Sequence, residues 1–160
     1  MNYAAEIQPT GTPTGVLAGG SKPLTFLIVD DDAVNIMAIQ RALNKMKIVN
    51  PVRIARDGQE ALDILRGADG YDPIAPPYLI TLDINMPRMD GFEFLKEVRE
   101  DPELRHLVVF VLTTSDMPRD VASAYAQNVA GYIVKEDLRD GLNAALSMIN
   151  TYSRIVELPN

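Results

Sequence analysis

The sequence predicts a doubly wound α/β domain, a five-stranded parallel sheet with helices on both faces. Two observations carry this. Apolar runs of strand length alternate five times with stretches whose apolar residues recur at helical spacing. Each connection is also long enough for the right-handed crossover that parallel strands require.

Taken in order, residues 1–23 are rich in Gly, Pro, Thr and Ser and read as a flexible tail. Leu24–Val29 (LTFLIV) is the first strand and ends in Asp30-Asp31-Asp32. Ile36, Ile39, Leu43 and Met46 mark an amphipathic helix over 33–46. Val52–Ala55 is the second strand. Asp57 is placed to cap the next helix, with Glu60 three residues on and Ala61, Leu62 and Leu65 inward. Residues 67–77, with their Gly and Pro, form a loop. The third strand opens the segment YLITLDINMPRMDG (78–91), apolar to Leu82, then Asp83, with a turn at Met89-Asp90-Gly91. Phe92, Leu95 and Val98 face inward from a third helix, which Asp101-Pro102 ends. Leu107–Leu112 (LVVFVL) is apolar throughout, as a strand covered on both faces is, and Thr113 follows. Pro118 opens a fourth helix of mostly small residues. Gly131–Val134 is the fifth strand, ended by Lys135. Leu138, Leu142, Ala145 and Ile149 mark a last helix. A folded domain over 24–152 and a short extension over 153–160 result. At 160 residues the smaller doubly wound order is favoured, the flavodoxin-like 2-1-3-4-5.

Composition narrows the function. The formal net charge is −7, which argues against nucleic-acid binding, because that relies on Lys and Arg at phosphates. Cys is absent, which removes disulfides, thiolate chemistry and zinc–cysteine sites and is compatible with a cytoplasmic protein. No apolar run is long enough to span a bilayer, and no secretory leader is visible.

In such a sheet all carboxyl ends share one edge, where ligands bind. That edge collects Asp30, Asp31 and Asp32 after strand one, Asp83 and Asn85 after strand three, Thr113 after strand four and Lys135 after strand five. Strands one and three are neighbours in this order, so two or three carboxylates converge. They repel and raise one another's pKa, and a bound cation removes the conflict. Oxygen donors without His or Cys favour Mg²⁺, with Mn²⁺ or Ca²⁺ able to substitute, over zinc. Lys135 and Thr113 add an ammonium and a hydroxyl. Together with a metal they suit a phosphoryl group in transfer, whose charge spreads over three oxygens. Asp83 is then the nucleophile that carries it. Singly, each residue has a plainer use. One of the three Asp, Asp32 best placed, caps a helix, and which two form the acidic pair is open by one residue. Thr113 ends a strand, Tyr132 packs a core, and Lys135 is solvated. His106 is the only His and lies in a polar turn, so it is not read as a phosphodonor.

Together these residues resemble the receiver domain of two-component response regulators, over about Leu24 to Asn150. The resemblance sets the acidic pair at Asp30 and Asp31, the phosphoacceptor at Asp83, the switch residues at Thr113 and Tyr132, and the family's Lys at Lys135. It makes Asn85 the residue whose backbone carbonyl joins Asp30, Asp31 and Asp83 around the metal. Glu136 stands where that family usually has Pro, commonly after a cis bond. The long Pro-bearing loop, Glu136 and the tail from Tyr152 resemble the small single-domain regulators paired with phytochrome-type histidine kinases.

The resemblance implies a phosphoacceptor signalling protein rather than an enzyme. It would take a phosphoryl group from a sensor histidine kinase with Mg²⁺ bound and switch an interaction surface, without DNA or membrane. No effector domain follows, so output is expected through a partner, or through a homodimer on the helix 4, strand 5 and helix 5 side with the C-terminal extension. Other readings fit less well. A phosphatase with an Asp nucleophile needs a second Asp as general acid where Asn85 stands. A flavin site needs a phosphate-binding loop where three Asp stand. A receiver that no longer takes phosphate would lack Asp83 or Lys135.

Overall fold

The computed structural model describes residues 23–68, 70–72, 76–135 and 138–159. All of the predicted tail except Pro23 lies outside these residues, as does Glu136 and with it the Lys135–Glu136 bond. Strands β1 (Thr25–Val29), β2 (Val52–Ala55), β3 (Tyr78–Leu82), β4 (Val108–Thr113) and β5 (Gly131–Val134) alternate with helices. These are α1 (Ala33–Lys45), α2 (Gly58–Arg66), α3 (Gly91–Glu100), α4 (Pro118–Ala126) and α5 (Leu138–Ile155). The strands form one parallel sheet in the order β2-β1-β3-β4-β5, the flavodoxin-like order expected.

Strand side chains alternate between two cores. Leu27, Val29, Ile80, Leu82, Val109 and Val111 pack with Leu62 of α2 and Phe94, Leu95 and Val98 of α3. Phe26, Ile28, Leu79, Phe110 and Leu112 pack with Ile36, Ile39 and Leu43 of α1 and Leu146 and Ile149 of α5. The unbroken apolar run of β4 is thus used on both faces.

Two helices are rotated from the expected facing. Phe94 is fully buried and Phe92 only half so, because the stripe through Gly91, Leu95 and Val98 includes position 94 and leaves 92 at its rim. In α2, Ile64 is buried deeper than Leu65. The segment read as an extension from 153 begins as helix, since α5 runs to Ile155. Tyr152 continues the stripe of Leu146 and Ile149. Its ring meets Phe110 edge-on, 5.3 Å between centroids, and that packing prolongs the helix.

Three acids start the helices that leave the carboxyl edge. Asp32 accepts from the Val34 amide at 2.8 Å and caps α1. Asp90 and Glu93 form a full capping box on α3. Asp57 accepts from the Glu60 amide at 2.8 Å, but the Glu60 carboxylate reaches back to the Arg56 amide rather than to Asp57 itself. Asp57 is 3% exposed, and its second oxygen takes the Arg88 guanidinium. Burial pushes its carboxyl up. The Glu60 amide, the Arg88 bond and charge, and the Gln59 amide outweigh this and hold it below the usual range.

Gly91 is where α3 meets the strand end. A Cβ there would stand 2.6 Å from the Asp83 carbonyl oxygen and 2.7 Å from the Ile84 Cα. Gly91→Ala is therefore expected to destabilise the fold by about 1–3 kcal/mol, the usual cost of overpacking, as read by urea unfolding. A neutral result would mean that this backbone yields. Asp57 sets a pH dependence. Its folded pKa is depressed, so its contribution is complete above the unfolded value of about 3.9 and is lost as pH falls through the folded one. Urea unfolding of the wild type and Asp57→Asn should differ most at neutral pH and converge in acid.

Candidate functional site

The site grows from one rung beyond the strands. The Asp30 amide donates to the Ala55 carbonyl at 3.0 Å, and the Asp83 amide to the Val29 carbonyl at 2.9 Å. Val29 is in register with Leu82, so Asp30 and Asp83 leave β1 and β3 side by side. Both are buried, while Asp31 is exposed. One carboxylate oxygen from each of Asp30, Asp31 and Asp83 lies within 4.8 Å of the others.

From the far side of the sheet, Lys135 Nζ donates to Asp30 Oδ2 at 2.7 Å and stands 3.4 Å from Asp83 Oδ2. The second oxygen of Asp30 accepts from the Asp32 amide at 2.9 Å. Burial nevertheless pushes the Asp30 carboxyl up. The Lys135 bond and charge and the Asp32 amide pull against that, and the charge of Asp83 adds to it. Two buried acids thus share one ammonium beside an exposed third acid. A donor set of carboxylate oxygens, with neither His nor Cys, fits a divalent cation.

The remaining expected residues sit around this group. Asn85 is exposed, its amide 3.4 Å from Asp83 Oδ1, a long contact. Thr113 is fully buried at the end of β4, in register with Val134, the residue before Lys135. Tyr132 is half-buried on β5, and its hydroxyl donates to the Ser115 carbonyl at 3.0 Å. Burial pushes that phenol up against the pull of the Ser115 bond, and the charges of Asp120, Asp116 and Asp83 push the same way.

Two contributors escaped the sequence reading. Ser115 is a junction. Its amide lies 3.4 Å from Thr113 Oγ1, its carbonyl holds Tyr132, and its hydroxyl donates to Asp120 Oδ2 at 2.5 Å in the first turn of α4. The only signal for it was its place two residues after Thr113. Arg88 is the other, an ion-pair partner of Asp57 hidden in the turn segment PRMDG.

The chain matches the response regulator receiver domain over residues 26–147. The response regulator Rcp1 of Synechocystis sp. is 33% identical over 138 residues, covering 86% of this chain and 94% of Rcp1. The probable methanogenesis regulatory protein FilR2 of Methanothrix harundinacea is 31% identical over 142 residues, 89% of this chain and 91% of FilR2. Among solved structures, the Mn²⁺-bound form of Rcp1 is similar with a TM-score of 0.78 at 32% identity, covering 86% of this chain and 100% of that one. The phosphorylated cyanobacterial phytochrome response regulator RcpA gives 0.78 at 34% identity, covering 88% and 100%. The chain belongs to the response regulator receiver domain family of two-component signalling, with phytochrome-associated regulators among its relatives.

Proposed function

We propose that this chain is a phosphorylation switch in which Asp83 accepts a phosphoryl group from a sensor histidine kinase in a Mg²⁺-dependent step. The observation that best supports it is the convergence of Asp83 with Asp30, Asp31 and Lys135 at a buried sheet edge. An Asp83 oxygen forms the new bond to phosphorus as the bond to the donor nitrogen breaks. Lys135, already beside Asp83, pairs with a phosphoryl oxygen, and the Thr113 hydroxyl donates to another. Both Asp30 oxygens are engaged, so Asp31, Asp83 and the Asn85 carbonyl have the most capacity left for a cation, with Asp30 behind them. Bound there, Mg²⁺ (or Mn²⁺ or Ca²⁺) supplies positive charge against the phosphoryl oxygens.

The switch runs through Ser115. Turning the Thr113 hydroxyl to the phosphoryl group gives up only a long contact to the Ser115 amide. Ser115 also holds Tyr132 and Asp120, so its movement reaches the first turn of α4. Likeness to RcpA supports a phytochrome-type kinase as partner, and with it a cytoplasmic location. Output through the α4, β5 and α5 side as a homodimer is supported by what that side exposes. In α4 only Ala124 is fully buried, while Tyr125, Met148, Ile155 and Val156 are exposed. Edge strand β5 is half-buried along its length. Beside it lies a groove of about 350 Å³ lined by Phe110, Tyr125, Tyr132, Ile133, Met148 and Tyr152 among others.

Beryllofluoride or a small phosphodonor is expected to modify Asp83 alone, with Mg²⁺ bound in about the millimolar range because few ligands come from protein. Intact mass before and after treatment checks this. An adduct retained by Asp83→Asn would defeat the assignment, and an unchanged Mg²⁺ titration in Asp31→Asn would defeat the metal site. For the dimer, sedimentation at micromolar concentration should show association that beryllofluoride strengthens, through an interface of about 1,000 Å² or more. A monomer under both conditions, unchanged by removal of residues 155–160, would leave a different protein as the only output.

A further inference from the structure

The loop from Ile84 to Asp90 joins the strand end bearing Asp83 to α3. Its near end is closed by Ile84, whose carbonyl accepts from the Met86 amide at 3.2 Å and the Gly91 amide at 2.9 Å. Its far end is held from outside, by the turn between β2 and α2. Arg88 has a left-handed backbone, φ 63°, which a residue with a side chain keeps only where its surroundings impose it. The Arg88 side chain lies mostly in solvent, yet its guanidinium ends on buried Asp57. Nε donates to Oδ2 at 2.6 Å, and Nη2 contacts the same oxygen. The next residue is tied to the same turn. The Met89 carbonyl accepts from the Gly58 amide at 3.1 Å, and a Cβ on Gly58 would stand 2.7 Å from the Met89 Cγ. A cap role for Asp57 accounts for Oδ1 and the Glu60 amide, but not for Oδ2.

We propose that Arg88, clamped on Asp57, is a positioning residue that fixes the loop carrying Asn85 at the acidic edge and so sets the affinity of that edge for a divalent cation. The inference rests on the function proposed above. Arg88 touches none of the expected ligands. It acts through the backbone three residues downstream of Asn85, as outer groups around metal sites commonly do. Pro87, with its fixed φ, stands between, so little slack separates the clamp from Asn85.

The test compares Mg²⁺ titrations, followed by NMR shifts, for the wild type, Arg88→Ala, Asp57→Asn, the double variant and Arg88→Lys. Asn still caps α2, so Asp57→Asn removes the clamp and keeps the helix start. Val98→Ala, in the core of α3, controls for lost stability. Amide exchange over 85–90 is read in the metal-free proteins. Both single variants should bind Mg²⁺ about tenfold more weakly, the usual scale for outer groups. The double should lose no more than either single, and Arg88→Lys should fall between, since an ammonium pairs without a fork. Exchange over 85–90 should quicken in the clamp variants, while Val98→Ala keeps wild-type affinity. Wild-type affinity and exchange in Arg88→Ala, additive losses in the double, or an equal loss in Val98→Ala would each overturn the proposal. A wild-type protein that neither binds Mg²⁺ nor takes beryllofluoride overturns the function above and the positioning role with it, and is told apart by appearing without any substitution.

Discussion

One ammonium holding two buried carboxylates is the constraint on which the structure turns. Lys135 leaves β5, and two strands lie between β5 and β1 in the sheet, yet its Nζ reaches Asp30 at 2.7 Å and Asp83 at 3.4 Å. It passes the ends of β4 and β3 to do so. Burying two like charges is unfavourable, and a single cation offsets it only where geometry and further hydrogen bonds are good. The Asp32 amide on Asp30 supplies one such bond. Burial still pushes the Asp30 carboxyl up, and the charge of Asp83 adds a smaller push. The carboxylate oxygens gathered there fit a divalent cation.

The fold holds this conflict in place by making the surrounding backbone stiff. The ladder of β1 continues into Asp30 and that of β3 into Asp83, so neither acid sits on a loose loop. Asp32, Asp57 and Asp90 each begin a helix within a few residues of the edge, which shortens the connections. Gly91 lets α3 start in contact with the Asp83 backbone, where any side chain would force the two apart. Acidic residues at the edge thus divide into two kinds. Some are satisfied by helix amides and serve the scaffold. Others, Asp30, Asp31 and Asp83, face one another at the edge.

That division explains what the sequence could and could not disclose. Strand existence and order were legible because five apolar runs and their spacing leave few topologies. Asp30, Asp31, Asp83 and Lys135 were legible because a parallel sheet sends every strand end to the same edge, and the contacts found there agree. Within the acidic triplet, Asp32 caps α1, as its place before the helix suggested. Helix facing was less legible. Phe92 and Phe94 are equally apolar, and only the packing of the core they share selects Phe94 for full burial. Ser115 left only its place after Thr113 as a signal and Arg88 left none, because its partner Asp57 is remote in sequence and neither leaves a periodic trace. The end of α5 was misjudged because Tyr152 looks like the start of a tail until Phe110 is placed beneath it.

The two flanks of the sheet are not held alike, and the difference bears on how a change at Thr113 could travel. On one flank α2 and α3 pack fully on the sheet and grip the Asp83 loop through Asp57 and Gly58. On the same face but toward the β5 edge, α4 buries fully only Ala124, in the same core, and its two ends are secured differently. Beyond its C-terminus, the Arg99 guanidinium donates to the carbonyls of Gln127 and Asn128, and also to those of Arg105 and Leu107, at 2.7 to 3.1 Å. That planar fork ties the helix end to α3 and to the start of β4. At the N-terminus the ties come from the Ser115 side chain, whose hydroxyl donates to Asp120 and lies 3.5 Å from the Met117 amide. In the function proposed above, a displacement of Ser115 would act on the first turn of this helix. Regions that move are drawn from the part of a fold with few buried contacts. Here that part adjoins the exposed apolar side chains Tyr125 and Met148 and edge strand β5. α4, which buries fully only Ala124, thus stands between Ser115 and the exposed apolar side chains of that surface.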